Sequence, residues 1–101
     1  MDKSEALSLA RRFAMLARSR LPVADVWLYG SYAYGAAGED SDIDVAVRLE
    51  RDPDDHLAAS KLLFALRREI DIRLEPVLID PEHDRSGFSE MVAERGIRAY
   101  P

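Results

Sequence analysis

The segment from Asp42 to Leu49 has a large apolar side chain at every second position. Successive side chains of a β-strand point to opposite faces, so one face of this strand is entirely apolar: Ile43, Val45, Val47 and Leu49. The other face begins with two carboxylates, Asp42 and Asp44. The chain must therefore cover one face of this strand with other elements, while the opposite face presents a carboxylate pair.

Two amphipathic helices are predicted to provide this cover. The first begins near Asp2, which has capping-box spacing to Glu5, and ends before Pro22, since proline disfavours helical geometry in the preceding residue. Its apolar stripe recurs every three or four residues: Ala6, Ala10, Phe13, Ala14, Ala17 and Leu21. The second helix is predicted to start at Asp52-Pro53, an N-cap followed by a first-turn proline, with the stripe Ala59, Leu62, Leu63, Leu66 and Ile70.

Two further strands are indicated by their composition and alternation. Residues 23–29 are rich in β-branched and aromatic side chains, and residues 70–75 alternate again, with Pro76 and residues 77–79 extending or turning that strand. A short helix is expected over residues 32–37. A last helix is expected over residues 88–95, ending at Gly96 as a left-handed C-cap. The predicted fold class is α/β (α+β), a single domain over residues 1–101 with a small mixed sheet and helices packed on its one apolar face.

Composition narrows the classes of function. The 101 residues include 14 basic and 19 acidic ones, a formal charge of −5, so broad binding to nucleic-acid duplexes is not expected. The chain has no cysteine, which excludes disulfides, thiolate zinc sites and a cysteine nucleophile. It has no apolar run of membrane-spanning length and no apolar signal core after its first residues, so we expect no membrane association and a cytoplasmic location.

The carboxylate pair and a glycine–serine turn carry the chemical signal. Asp42 and Asp44 share a strand face about 6.5 Å apart, so their oxygens can converge on hard cations such as Mg²⁺. Gly30-Ser31 follows an apolar strand, and glycine lets a phosphate approach the backbone closely. Taken alone, either feature has a plain explanation, the first as a solvated strand face and the second as a simple turn.

Their combination is more specific. Gly30-Ser31, ten intervening residues and then Asp42-Ile43-Asp44 give the pattern G-S-x10-D-x-D, here GSYAYGAAGEDSDID. This pattern resembles the signature of the DNA polymerase β-like nucleotidyltransferase superfamily. It looks most like the minimal nucleotidyltransferase (MNT) group, whose members act as antitoxins beside HEPN-domain toxins. The resemblance covers residues 23–75, and the later segment LEPVLI is similar to a subgroup with an "IEP" third strand.

The resemblance implies roles for individual residues. Gly30 and Ser31 would hold the phosphates of ATP or another NTP, and Asp42 and Asp44 would bind Mg²⁺. A third carboxylate on a neighbouring strand would complete the metal site and assist the acceptor hydroxyl. Glu75 fits the "IEP" pattern, whereas Asp71 fits a "VDL" strand of other members; we favour Glu75. Two more residues are predicted beside the nucleotide: Tyr32, which either stacks on the base or packs in the core, and Arg73.

The chain departs from the family pattern at one position. Many members have G-S-x-A-R-G, and this chain has GSYAYG, with Tyr34 in the place of the arginine. A tyrosine offers only a neutral hydroxyl, where an arginine would bind phosphate or a carboxylate. Either another basic residue compensates, with Arg73, Arg48 and Lys61 as candidates, or the affinity for the triphosphate is reduced.

The predicted function is Mg²⁺-dependent adenylyl transfer from ATP to a hydroxyl of a partner protein. By resemblance, the partner is a HEPN toxin and the two chains form a hetero-oligomer. One alternative is a weak or inactive nucleotidyltransferase-fold module that neutralises its partner by binding. Another is a subunit that modifies a small molecule such as an antibiotic.

Overall fold

The computed structural model describes all residues from 1 to 101. Four α-helices, a 3₁₀ turn at Arg67–Glu69 and four strands follow one another along the chain. In order they are α1 (Lys3–Arg18), β1 (Val23–Tyr29), α2 (Ser31–Tyr34), β2 (Ile43–Leu49), α3 (His56–Leu66), β3 (Leu74–Ile79), α4 (Phe88–Arg95) and β4 (Ile97–Tyr100). No helix is both long enough and apolar enough to cross a membrane.

The four strands form one mixed sheet in the order β3-β2-β1-β4. β1 lies antiparallel to β2 and to β4, and β2 lies parallel to β3, which leaves β3 and β4 as the edge strands. The predicted fold class is confirmed. β4 was not predicted, because four residues carry too little alternation to indicate a strand and its place in the sheet comes from pairing with β1.

The larger core lies on the apolar face of β2, under α1 and α3. Ile43, Val45 and Val47 are fully buried there. The predicted stripe of α1 is buried with them at Ala6, Ala10, Phe13, Ala14 and Ala17. The Glu5 N–H donates to Asp2 Oδ1 at 2.8 Å, so the predicted N-cap is present.

The opposite face of the sheet is also partly covered, and here the prediction of helices on one face only was wrong. Val92 of α4 is buried against Ala46 of β2 and Ile79 of β3. Four partly buried side chains surround this second, smaller core: Trp27, Tyr29, Phe88 and Met91. Ala46 is the one small apolar residue on the polar face of β2, and its size allows a helix to approach the sheet beside the carboxylates.

The short helix predicted over residues 32–37 is α2 (Ser31–Tyr34), and three further predictions about element ends differ from the structure. α3 begins at His56 rather than at Asp52-Pro53, and its N-cap is Asp55, which accepts the Ala58 N–H at 3.0 Å. β3 begins at Leu74 rather than at residue 70, because a 3₁₀ turn precedes it. Gly96 is extended (φ −77°) and not left-handed. It is required for another reason: a Cβ there would lie 2.5 Å from the Val92 carbonyl oxygen and 3.0 Å from that of Leu28.

Asp84 holds the start of α4 and gives a pH-dependent prediction. Hydrogen bonds from Ser86, followed by those from Ser89, hold the pKa of the Asp84 carboxyl well below its usual range. A carboxyl with a lowered folded-state pKa stabilises the protein above its unfolded pKa of about 3.9, and this stability is lost as pH falls towards the folded value. We therefore expect Asp84→Asn to lower Tm at pH 7, with the gap to wild type narrowing below about pH 4.

Thermal unfolding followed by circular dichroism at a series of pH values measures this gap. Asp54→Asn is the control, since Asp54 is exposed and makes no side-chain hydrogen bond. Equal Tm values for wild type and Asp84→Asn at pH 7 would contradict the prediction.

Candidate active site

Strand register brings the predicted carboxylates together. Tyr29 of β1 pairs with Asp44 of β2, and Asp44 pairs with Glu75 of β3, so these three side chains share one face of the sheet. Asp42 lies two residues before Asp44 and contributes to the electrostatics of the same cluster. Asp42 is exposed, whereas Asp44 and Glu75 are half-buried. The structure thus places three acidic side chains at adjacent positions, open to solvent on one side.

Gly30 joins this cluster through its backbone. It has φ +74° and ψ −154°, a conformation that favours glycine, and a Cβ at this position would collide with Asp44 Oδ2. The glycine–serine turn and the carboxylate pair are therefore in direct contact, although about a dozen residues separate them in the chain. Ser31 begins α2, and its hydroxyl makes no hydrogen bond within the protein.

The electrostatics of the cluster favour a bound cation. Burial, then the charges of Asp42 and Glu75, raises the pKa of Asp44. Burial, then the charge of Asp44, raises the pKa of Tyr29 to about 12. One cation is paired with the cluster: Arg67 Nη1 lies 3.3 Å from Glu75 Oε1. Three carboxylates with one paired cation repel one another, and a divalent cation such as Mg²⁺, which prefers oxygen ligands, would relieve this repulsion.

Asp71, the rival for the third carboxylate, lies away from this cluster. It belongs to the turn before β3, and its Oδ2 is 2.6 Å from Arg73 Nη2. The hydrogen bonds from Arg73 lower the pKa of Asp71. Asp71 and Arg73 therefore form an ion pair with each other. Glu75 is the carboxylate that pairs with Asp44 in the register of the sheet.

Two of the predicted nucleotide contacts need correction. Tyr32 is only 2% exposed and packs in the core under α1, so its ring is not available to stack on a base. Arg73 was expected to contact the nucleotide, but its guanidinium is bound to Asp71. The other basic residues proposed to compensate for the missing arginine are not placed at the cluster either. Arg48 is paired with Asp25 at 2.6 Å, and Lys61 lies on α3, on the other side of the sheet.

One wall of the site was not predicted, and it comes from α4. Phe88 packs edge-on against Tyr29, with ring centroids 5.3 Å apart. The Tyr34 hydroxyl lies 3.0 Å from Met91 Sδ, and the Arg95 guanidinium lies 4.6 Å from the centre of the Tyr34 ring. The spacing of Phe88, Met91 and Arg95 places them on one helix face, which the sequence shows. Only the structure shows that this face turns towards Tyr29 and Tyr34.

A second group of polar side chains lies at the other end of the sheet. Ligand atoms of Asp52, Asp80 and His83 lie within 4.8 Å of one another, and His83 Nδ1 is 2.7 Å from Asp80 Oδ2. A cavity of about 260 Å³ opens beside them, lined in part by Arg48 and His56. These residues follow the carboxyl ends of β2 and β3, whereas Asp44 and Glu75 lie at the start of those strands. The cavity is therefore separate from the carboxylate cluster.

Comparison with known proteins agrees with this geometry. A family model described as the nucleotidyltransferase domain matches residues 10–97. The chain belongs to the nucleotidyltransferase domain family. No curated protein matches the sequence.

Solved structures share the fold of this nucleotidyltransferase domain. A protein of Sulfolobus solfataricus assigned as a nucleotidyltransferase is 20% identical, with a TM-score of 0.67 over 95% of this chain and 80% of that one. A chain of a toxin–antitoxin complex with AMP-PNP is 22% identical, with a TM-score of 0.66 over 88% and 71%. A chain from the complex of a tri-AMPylated Shewanella oneidensis HEPN toxin with an MNT antitoxin is 21% identical, with a TM-score of 0.62 over 92% and 71%.

Proposed function

We propose that this nucleotidyltransferase domain transfers an adenylyl group from ATP, with Mg²⁺, to a hydroxyl of a partner protein, and that the partner is a HEPN toxin. The observation that carries the proposal is the alignment of Asp44 with Glu75 across β2 and β3, with the Gly30 backbone packed against Asp44. This arrangement gathers the phosphate-binding turn and the metal-binding carboxylates at one point. Neither Tyr32 nor Arg73 is needed for it.

In the proposed reaction, the acceptor hydroxyl oxygen forms a bond to the α-phosphorus of ATP. The bond from that phosphorus to the bridging oxygen breaks, pyrophosphate leaves, and the hydroxyl proton passes to a carboxylate. Glu75 is the proposed acceptor of the proton, since the Arg67 contact keeps it oriented beside Asp44. Mg²⁺ held by Asp42, Asp44 and Glu75 would neutralise phosphate charge. Gly30 and Ser31 would hold the polyphosphate.

The partner is proposed from the structural relatives and from the openness of the site. One relative was solved as a complex of an MNT antitoxin with a tri-AMPylated HEPN toxin, and another with AMP-PNP. Asp42 is exposed and Glu75 lies on an edge strand, so a hydroxyl carried by another protein can reach the cluster.

Label transfer tests the catalytic proposal. The chain is incubated with α-³²P-labelled ATP, Mg²⁺ and a candidate HEPN partner protein, and the radioactivity in the HEPN band is counted. We expect transfer by the wild type and none by the Asp42→Ala/Asp44→Ala double variant. Glu75→Gln is expected to reduce the rate by roughly 10²- to 10⁴-fold, the range for loss of a general base. Asp71→Asn is the matched control and is expected to keep most of the rate.

A second function, neutralisation by binding alone, is favoured by Tyr34 in the position of the family arginine. The same variants separate the two functions. If the wild type transfers no label and the Asp42→Ala/Asp44→Ala variant still neutralises the HEPN protein fully, the catalytic proposal is refuted and binding is the function.

A further inference from the structure

Arg95 lies with its guanidinium carbon 4.6 Å from the ring centre of Tyr34, the residue that replaces the arginine of the family pattern. We propose that Arg95 supplies from α4 the cation that binds the nucleotide phosphates at the Gly30-Ser31 turn, with Tyr34 as its platform. This inference rests on the proposed nucleotidyl transfer. It replaces the earlier candidates Arg48, Arg73 and Lys61.

The backbone holds Tyr34 and Arg95 close to the turn. α2 is a single turn, and the Tyr34 N–H donates to the Gly30 carbonyl at 3.1 Å. At the other side, Gly96 follows Arg95 directly and fits tightly against the Leu28 carbonyl, two residues before Gly30. The C-terminal end of α4 is therefore fixed beside the end of β1, where the turn begins.

The Arg95 guanidinium is available for a ligand. Three arginines of the chain, Arg48, Arg67 and Arg73, are paired with carboxylates, whereas no carboxylate lies within 4.0 Å of Arg95. Its contact with Tyr34 is a cation–π contact, which leaves the charge in place and the N–H donors at the rim of the guanidinium free. The side chain is exposed, so it can turn towards a ligand without unpacking the core.

Tyr34 is itself held in place as a platform. Its hydroxyl lies 3.0 Å from Met91 Sδ, one helical turn before Arg95. The ring is thus fixed from α4 at the same point at which it carries the guanidinium. In the family pattern, the short helix α2 itself carries an arginine. Here α2 carries Tyr34, and Arg95 of α4 places its positive charge over the ring of that tyrosine.

The charge of the site explains the need for such a cation. The cluster contains three carboxylates, and ATP adds several further negative charges to it. A guanidinium binds phosphate oxygens through two N–H donors at once, which a tyrosine hydroxyl cannot do. Arg95 has no carboxylate partner, and it lies over the ring of Tyr34, four residues after Gly30.

Nucleotide affinity tests this assignment. The Kd for AMP-PNP with Mg²⁺ is measured by calorimetry, and we expect Arg95→Ala to raise it about 10- to 100-fold, the range for loss of a charged hydrogen bond. Arg98→Ala is the matched control, because Arg98 also lies over an aromatic ring, that of Trp27 at 4.7 Å, and this ring belongs to β1 and not to α2. Its Kd is expected to stay at the wild-type value.

Moving the positive charge from Arg95 to position 34 distinguishes phosphate binding by Arg95 from a merely structural role of this residue. We expect Tyr34→Arg to restore AMP-PNP affinity in the Arg95→Ala background, and Tyr34→Ala to leave it weak. If the wild type binds AMP-PNP and Arg95→Ala binds it equally well, the assignment of Arg95 is overturned while the proposed function survives. If the wild type itself binds no AMP-PNP, both the proposed function and the assignment are refuted.

Discussion

Asp44→Asn is expected to raise the thermal stability of the metal-free protein and to abolish adenylyl transfer. Burial and the charges of Asp42 and Glu75 disfavour the ionised carboxylate of Asp44, which raises its pKa. A carboxyl with a raised folded-state pKa destabilises the fold as pH rises above its unfolded pKa, so at pH 7 the neutral amide removes an unfavourable charge. The amide also removes the proposed Mg²⁺ ligand. The loss of several kcal/mol of charge stabilisation corresponds to a rate reduction of about 10³-fold or more.

Thermal unfolding with and without Mg²⁺ separates the two effects. For the wild type, Mg²⁺ at ten times its Kd should add about 1.4 kcal/mol to the free energy of unfolding. Asp44→Asn should unfold at a higher temperature than the wild type without Mg²⁺ and should gain nothing from Mg²⁺. Asp40→Asn, in the exposed loop before β2, is the control and should respond to Mg²⁺ as the wild type does. An Asp44→Asn protein that Mg²⁺ still stabilises would refute the metal-ligand role.

Gly30→Ala is expected to damage both the fold and the site. The backbone conformation of Gly30, φ +74° and ψ −154°, is essentially restricted to glycine and costs about 1–3 kcal/mol for a residue with a Cβ. The new methyl group would also collide with Asp44 Oδ2 and displace this carboxylate from its place beside Glu75. We expect a lower Tm, loss of stabilisation by Mg²⁺ and loss of label transfer.

Gly35→Ala is a control for the positive φ alone. Gly35 has φ +78° with ψ 17°, in the left-handed region and not in the conformation of Gly30 (ψ −154°), and a Cβ there would meet nothing within 4 Å. Both variants should therefore lose stability from the backbone conformation, and only Gly30→Ala should lose the response to Mg²⁺. If Gly35→Ala abolishes the response as well, the close approach of Gly30 to Asp44 is not what positions the metal ligand.

The sequence predicts those parts of the fold that depend on local periodicity. The stripe of α1, its Asp2 cap and the alternation of β2 are present as predicted, because each is a relation among residues close in the chain. The family pattern similarly depends on a fixed spacing between Gly30 and Asp42. The structure shows the contact that this spacing allows. β2 runs back antiparallel to β1, and this brings Asp44 against the Gly30 backbone.

Contacts between elements that are distant in the chain could not be predicted from the periodicity of the sequence. The choice between Glu75 and Asp71 depends on where β3 begins, which the 3₁₀ turn at Arg67–Glu69 delays by four residues. The placement of α4 on the carboxylate face depends on the small side chain of Ala46, four strand positions beyond Asp42. The burial of Tyr32 depends on α1, which packs against α2 although β1 lies between the two helices in the chain.

The edge position of β3 has a consequence for assembly. The Ile43 N–H donates to the Arg73 carbonyl. In a parallel ladder every second residue faces the neighbouring strand, so Glu75 directs its backbone groups towards β2. Pro76, the next residue, directs its nitrogen away from β2. A proline nitrogen has no hydrogen to offer a further strand, and such residues protect exposed sheet edges. A neighbouring chain is therefore hindered from extending the sheet next to Glu75. A partner can therefore reach the carboxylate cluster at this sheet edge with its side chains, but it is hindered from adding a strand there.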